Sequence, residues 1–571
     1  MNKILISTLC ESAVLFSACE DNLDIPQKGV TPIENFYNTD EDAEQALVSA
    51  YTGFIWNVCG FEAGYIYVPT YQVSVQCGDD LFAAGSNFGD NDNIYCLNEF
   101  RFDAGNGTIQ NAYQNYYYAM YYSNLVIDHF KDSPSPKAKK CVAEARVLRA
   151  YMHMMLALGW GNPPKIDHVL GGGDLPENCE FEDLLTWCAQ ECEEAAADLD
   201  ERSNPSDKAG AAKVTKGFAW GVAGKCWLYI DKWDKAKENL KKVITSGNYK
   251  LVPGARYAEN FHVEGDLNEE KIFEANIAYD KDLKNLDNRT TWMQTNLWGW
   301  RSDHMNYRVN QNEYTGIEGW GGCGVPKSFA DEFVANDGLD SYRLNASIIS
   351  IEDLMYGKLQ VWKPIEGMSL DEIKKSDKIG IPALGLYGQS KYLMLKKQAK
   401  ASDMKNPGDN HSMANHTIMR YAEVLLMYAE ACIQSGDQAE AKKYINEIQE
   451  RAGSKTISAT VDMNVLKREK KLEMWLEGCR YYDMRHWEDW DLAKKAGKEV
   501  TSLYDKLSRP IKAGDKVIED GERFYTILDN SHQVPPEGWS EKFRWFPFPS
   551  TVVSINPNLK QHEGFKIMRN N

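Results

Sequence analysis

The chain has 571 residues, 64 Lys plus Arg against 83 Asp plus Glu, a formal charge of −19 and 43% hydrophobic side chains. That charge repels phosphate backbones and anionic membrane surfaces, which argues against nucleic acid as a partner. The apolar fraction can bury a large core, while beyond the leader no stretch approaches the ~20 apolar residues of a membrane span.

Length alone suggests about four units at roughly 150 residues each. No linker rich in Pro, Ser or Gly divides the chain, so it reads as a leader, 1–18, followed by a single domain, 19–571. The leader carries Lys3, an apolar run from Ile4 to Phe16 interrupted by Glu11, and Ser17-Ala18 before Cys19. Small residues preceding a cysteine suit signal cleavage and diacylation of Cys19, and the run is too short to cross a bilayer. Lipid on Cys19 is therefore the expected membrane attachment.

Next comes a polar stretch, Gly78-Asp79-Asp80-Leu81-Phe82 through Asn91-Asp92-Asn93-Ile94-Tyr95. Its acids and amides resemble a calcium loop only superficially, since Ile94 stands at the fifth position, where such a loop needs oxygen. It reads as a polar binding or structural loop, with Asp80, Phe82, Asn91 and Tyr95 as candidate ligand contacts. No metal and no cofactor is expected.

Helical periodicity dominates the chain from Asn111 to Ile244. Asn111–Phe130 and Lys137–Leu158 make one pair around Ser133-Pro134-Ser135-Pro136, the second with Cys141, Ala145, Leu148, Met152 and Met155 on one side. Gly171–Gly173 lacks the Gly-Lys-Ser/Thr ending of a phosphate loop and reads as a turn. Cys188 and Cys192 lie one helical turn apart without a CxxC pair or histidine cluster, which favours buried thiols over a metal site. Removing Cys10 and Cys19 from the thirteen cysteines leaves an odd eleven, which fixes no disulfide scheme. Val214–Ile230 and Asp234–Ile244 form a second pair, with Gly217, Ala219, Ala223 and Gly224 as small contact positions and Trp233 marking the turn.

From about 250 to 400 the periodicity dissolves into Gly, Asn, Trp and Tyr, predicting a long insert of loops and short strands. Loops on a rigid scaffold are where binding sites are usually built. Within it Trp292, Trp298, Trp300, Tyr314 and Trp320 alternate with amides and guanidinia, including Arg301 and Asn312. An aromatic face beside such donors suits a sugar ring, whose CH face stacks while its hydroxyls need hydrogen-bond partners. Trp298, Trp300 and Trp320 are the preferred platforms, because Gly299, Gly319, Gly321 and Gly322 beside them suggest exposed turns.

The last pair, Ile418–Gly453, is an αα-hairpin. Ile418, Tyr421, Ala422, Leu425, Ala429 and Ile433 share one face; Gly436 ends that helix, and Asp437 with Glu440 forms a D-x-x-E capping box for the next. Three hairpins with small facing residues predict a mainly α fold, a tetratricopeptide-like stack carrying the loop-rich insert. Catalysis finds no support: His411 and His416 do not share a helix face, and neither H-E-x-x-H nor G-x-S-x-G occurs.

The strings RYAEVLLMYAEA, INEIQERAG and LKREKKLEMWLEGCRYYDMRHW, together with FYNTDEDAEQALVSAY, AEARVLRAYMHMMLALGWGNPP and FPFPSTVVSINPNLKQHEGF, resemble the SusD/RagB family along the whole chain. That resemblance implies a nutrient-binding surface lipoprotein of Bacteroidota, held at the outer membrane and facing the exterior. It also implies oligosaccharide as ligand, and as partner a TonB-dependent transporter of the SusC kind. A glycoside hydrolase and a peptide-binding helical-repeat protein are the alternative readings.

Overall fold

The computed structural model describes residues 36–59, 68–83, 91–276, 298–299, 313–314, 319, 321–350, 392–404, 412–489, 503–504, 516–520, 523–527 and 538–566. Cys19 and the leader, Trp292, Trp300, Arg301, Asn312 and Trp320 lie outside them.

Helix α1, Asp40–Phe54, starts at Thr39, whose hydroxyl accepts from Asp42 N while the Asp42 carboxylate accepts from Thr39 N, a complete capping box. It is followed by α2 (Pro69–Val75), strand β1 (Phe82–Ala83) and α3 (Asp92–Asn98). The long hairpin is α4, Gly107–Phe130, and α5, Pro136–Trp160. Helix α4 begins four residues before the predicted Asn111, because the Asn106 side chain accepts from Ile109 N and caps a turn that carries no periodic signal. After α6, Phe181–Ala195, come α7, Lys216–Leu228, and α8, Trp233–Thr245; Trp233 is the first residue of a helix rather than a turn residue.

These helices pack in chain order, α4 on α5, α5 on α6, α6 on α7 and α7 on α8. Gly224 is needed at the α7–α8 contact, since a Cβ there would stand 2.6 Å from Leu240 Cγ. Strand β2 (Lys271–Ala275) opens the insert, whose described parts include β3 (Cys323–Gly324), α9 (Lys327–Asp337), α10 (Tyr342–Ser347), β4 (Ile348–Ser350) and β5 (Tyr392–Met394). The two helices correct the expectation of loops and strands alone. In α9, Pro326 precedes the first turn and Phe329, Ala330 and Phe333 are buried at helical spacing.

Ile418 belongs to strand β6 (His416–Arg420), not to the helix predicted from it. β6 pairs antiparallel with β2, and helix α11 begins only at Tyr421 and runs to Gln434. Gly436 takes φ +84, as the turn requires. Asp437 caps α12 (Gln438–Ala452) by accepting from Glu440 N at 3.2 Å. The capping box is only half made, because Glu440 turns instead to Lys241 of α8 at 2.6 Å. That ion pair lies where α11 docks onto α8, continuing the stack across a gap of nearly two hundred residues. Ala422 and Ala429 are fully buried, which lets the backbones approach. Helices α13 (Met463–Glu473), α14 (Arg480–His486) and α15 (Ser550–Ile555) and a sheet ordered β7 (Leu503–Tyr504), β9 (Arg523–Ile527), β8 (Lys516–Asp520) complete the described chain. No described helix is long and apolar enough to cross a membrane.

A buried ionic cluster locks the insert to this stack. Arg420 at the end of β6 binds Glu270, Glu473 and Glu477; Arg451 of α12 binds Glu270 and Glu473; Arg343 of α10 binds Asp337, Glu469 and Glu473. Burial raises the carboxyl pKa values of Glu270 and Glu473, but the arginines prevail and hold both below the usual carboxylate range.

Candidate functional site

The two segments singled out for ligand binding meet. Strand β1 pairs antiparallel with β3, Phe82 opposite Gly324 and Ala83 opposite Cys323, so the Gly78–Tyr95 stretch shares a ladder with the residues that follow the aromatic segment. Gly321, at φ +67, donates its N–H to Gly299 O at 2.8 Å, joining the two glycine turns that flank Trp300 and Trp320 in sequence.

The base of this junction is polar and tightly held. Asn98 at the end of α3 donates to Gln76 O and Leu81 O and accepts from Ala83 N, which fixes the start of β1. Trp475 Nε1 donates to Asp80 O at 2.9 Å. Asp79 is bound bidentately by Arg480 at 2.7 and 3.1 Å and also by Lys471, all three nearly buried. Those cations outweigh desolvation and depress the Asp79 carboxyl, whereas burial and the adjacent Asp79 charge push the Asp80 carboxyl up.

Several predicted contacts are buried rather than exposed. Trp298 is 1% exposed, its ring 5.1 Å from that of Tyr71, so the exposure inferred from Gly299 is not realised. Asp80, Tyr95 and Tyr314 are also buried, while Asn91 precedes α3 and is half-buried. Phe82 is placed by its backbone in β1. Beneath the junction a cavity of about 80 Å³ touches Tyr71, Lys397 and His416, room for water but not for a sugar ring. Burial brings the Lys397 amine down to about 7. Cys188 and Cys192 are buried thiols, and no potential metal cluster occurs among the described residues.

A second concavity lies outside both predicted segments. A groove of about 630 Å³ opens at one end of the hairpins, between Phe181, Trp233, Trp487 and Trp545. The signals are present in the sequence, Trp487 in DMRHW and Trp545 before Phe546-Pro547, but periodicity does not tell which helix ends converge. His486 in its wall bonds Asp231 at 3.0 Å and lies 3.6 Å from Glu430, facing the rings of Tyr229 and Trp233, with Lys470 on the far side of Glu430. Although burial opposes charge, these acids raise the imidazole to about 9. A folded pKa above the ordinary ~6.5 stabilises fully below pH 6.5, and the contribution is lost as pH rises towards 9. The stability gap between the parent and His486→Gln, followed by urea unfolding, should therefore shrink over that interval; a constant gap would show that His486 is not held protonated.

The fold is a helical-hairpin scaffold carrying a loop-rich insert joined to it by the β1–β3 ladder. A model described as the SusD family matches residues 269–565, 297 of the 571 residues, and one described as "Starch-binding associating with outer membrane" matches 41–185. The chain belongs to the SusD family.

It is 24% identical to a "SusD-like protein" of Bacteroides ovatus over 520 residues, 85% of this chain and 82% of that one. It is likewise 24% identical to the "Starch-binding protein SusD" of Bacteroides thetaiotaomicron over 425 residues, 68% and 73% of the two chains. Among solved structures, surface glycan-binding protein A from Bacteroides thetaiotaomicron in complex with laminarihexaose superposes with a TM-score of 0.69 at 20% identity, covering 92% of this chain and 99% of that one. A "Laminarin binding SusD-like protein" gives 0.68 at 19% identity, covering 92% and 99%.

Proposed function

We propose that this protein is a lipoprotein anchored through Cys19 to the outer face of the outer membrane. It captures oligosaccharides without cleaving them and passes them to a TonB-dependent transporter of the SusC kind. The observation that carries the reading is the β1–β3 ladder with the Gly321–Gly299 bond, which draws together two segments that each have sugar-binding composition. The names of the starch-binding and laminarihexaose-bound relatives support glycan as the ligand class.

Trp300 and Trp320 are the platforms in this reading, with Trp292, Arg301, Asn312 and the Asn91 end of the neighbouring loop supplying further contacts. Trp298, Asp80, Tyr95 and Tyr314, which are buried, act in it as support. Sugar hydroxyls exchange water for protein hydrogen bonds at small net gain, so dissociation constants of ~1 µM to ~1 mM are expected.

A glycan array followed by calorimetry tests this. Trp300→Ala and Trp320→Ala, each with an unchanged circular dichroism spectrum, should weaken binding of the best neutral glycan about tenfold or more, the scale of a buried aromatic anchor. Parent-level affinity in both variants places the platform elsewhere, and release of reducing ends on incubation overturns the non-hydrolytic reading.

A further inference from the structure

The protein's buried arginines set a standard by which one of them stands out. Arg343, Arg420, Arg451 and Arg480 each contact carboxylates, and Arg202 is capped by the carbonyls of Lys271, Pro205 and Asn268 at 2.5, 2.8 and 3.1 Å. Arg485 is 5% exposed and lines the groove at the hairpin ends. Among the described residues its one hydrogen-bond acceptor is Arg544 O, at 3.4 Å, and no carboxylate pairs with it.

The guanidinium is nonetheless held rigidly. It lies 3.9 Å from the Trp545 ring centre and beside the rings of Tyr481 and Tyr482. Trp545 is itself seated over Gly161, where a Cβ would approach the indole to 2.7 Å and where φ is +74. An immobilised guanidinium offering a planar fork of N–H donors, with most of them unspent, matches a bidentate oxyanion.

The other cations of the groove are paired, and Glu488, an acid of the same wall, lies 3.9 Å from Arg544. Lys467 pairs with Asp489 at 2.7 Å, Arg544 pairs with Glu541, and His486 bonds Asp231. Among the described residues Arg485 is thus the groove's cation without a carboxylate partner, and burial brings it down to about 10. Around it Trp233 and Trp487 are half-buried and face the same groove. Indoles beside a cation describe a site for a ring that bears an acid.

We propose that this groove is a second glycan site, selective for an acidic sugar, whose carboxylate or sulfate sits on Arg485 with the ring against Trp233 and Trp487. The proposal rests on the glycan-binding reading but uses none of the loop residues assigned to the first site. It reverses locally the exclusion of acidic ligands that the net charge of −19 implies. Carboxylate and sulfate share this chemistry, so both are probed.

Calorimetry on the purified protein with trigalacturonic acid, its methyl ester and a sulfated galactan trisaccharide decides the matter. Trigalacturonic acid, the sulfated trisaccharide or both should bind, more weakly at higher salt, and the uncharged methyl ester at least tenfold more weakly than trigalacturonic acid. Arg485→Gln and Trp233→Ala should each lower acid binding about tenfold, whereas Trp300→Ala and Trp320→Ala should leave it unchanged. Should Arg485→Gln fail to fold, Trp233→Ala and phenylglyoxal labelling of the parent carry the test: adduct formation at Arg485, mapped by mass spectrometry, should be suppressed by the bound acid. Absence of binding by either acid at millimolar concentration, equal binding of the methyl ester, or labelling of Arg485 unaffected by saturating acid overturns the proposal. Acid binding that is lost in the loop variants instead assigns it to the first site. Neutral-glycan binding sensitive to Trp300→Ala, with no acid bound, leaves the first reading intact and rejects only this one.

Discussion

Replacing Arg420 with alanine is expected to destabilise the protein by about 3–5 kcal/mol, the usual cost of removing one partner from a buried ionic cluster. Arg420 is 1% exposed and reaches Glu270, Glu473 and Glu477 at 2.6–2.7 Å, so its loss leaves three nearly buried carboxylates short of a cation. Arg451 and Arg343 still touch Glu473, but among the described residues Glu477 keeps only Lys396. The effect should diminish in acid. Glu473 and Glu270 have folded pKa values below their ordinary one, so the parent gains stability from them above about pH 4.5 and loses it as pH falls through the lower folded values. In the variant those carboxyls lose a cation and protonate at higher pH than in the parent, so the gap to the parent narrows progressively as pH falls from 7 towards 4. Urea unfolding of both proteins between pH 4 and pH 7 measures this; a loss under about 1 kcal/mol at pH 7 would mean that the cluster relaxes around the missing guanidinium.

The same cluster explains what local sequence patterns could and could not reveal. The hairpins were legible because Ala422, Leu425, Ala429 and Ile433 recur at helical spacing and are all buried. The helix start was misplaced by three residues because Ile418 falls in phase with that face, yet belongs to a strand pinned by Arg420 to acids as much as 150 residues away. No periodicity encodes such a partner. Helix α9 had a visible signal in Phe329, Ala330 and Phe333, obscured by the Gly and Trp around it, whereas the six residues of α10 are too few to show a period. At the junction, composition found segments that converge, but it could not tell an exposed indole from a buried one. Glycine beside Trp298 describes only the backbone, and what buries that indole is Tyr71, more than two hundred residues earlier. The groove at Arg485 depended on an absence, a guanidinium lacking an acid among the described residues, and only three-dimensional neighbours reveal that.

Asp79→Ala should damage stability and binding together, because Asp79 ties the ladder under the proposed glycan site to α13 and α14. Its carboxylate accepts from Arg480 Nε and Nη2 and from Lys471 Nζ, so deletion strands one nearly buried guanidinium and leaves Lys471, among the described residues, with Glu332. Asp80, whose carboxyl burial and the Asp79 charge push up to about 7, offers a partial substitute: with its like-charged neighbour gone it ionises more readily and can compensate Arg480. The single variant is therefore placed at about 3 kcal/mol, the lower end for a broken buried pair. The double variant Asp79→Ala/Asp80→Asn, which removes that reserve, is placed nearer about 5 kcal/mol. Because Phe82 lies three residues beyond Asp79, loosening this anchor also blurs the register of β1 against β3, and affinity for the neutral glycan should fall even where the protein remains folded. Urea midpoints and calorimetry on the same preparations separate the two consequences. Equal stability of the single and double variants would remove Asp80 from the account, and an undiminished glycan affinity in a destabilised but folded Asp79→Ala protein would show that the ladder does not position the site.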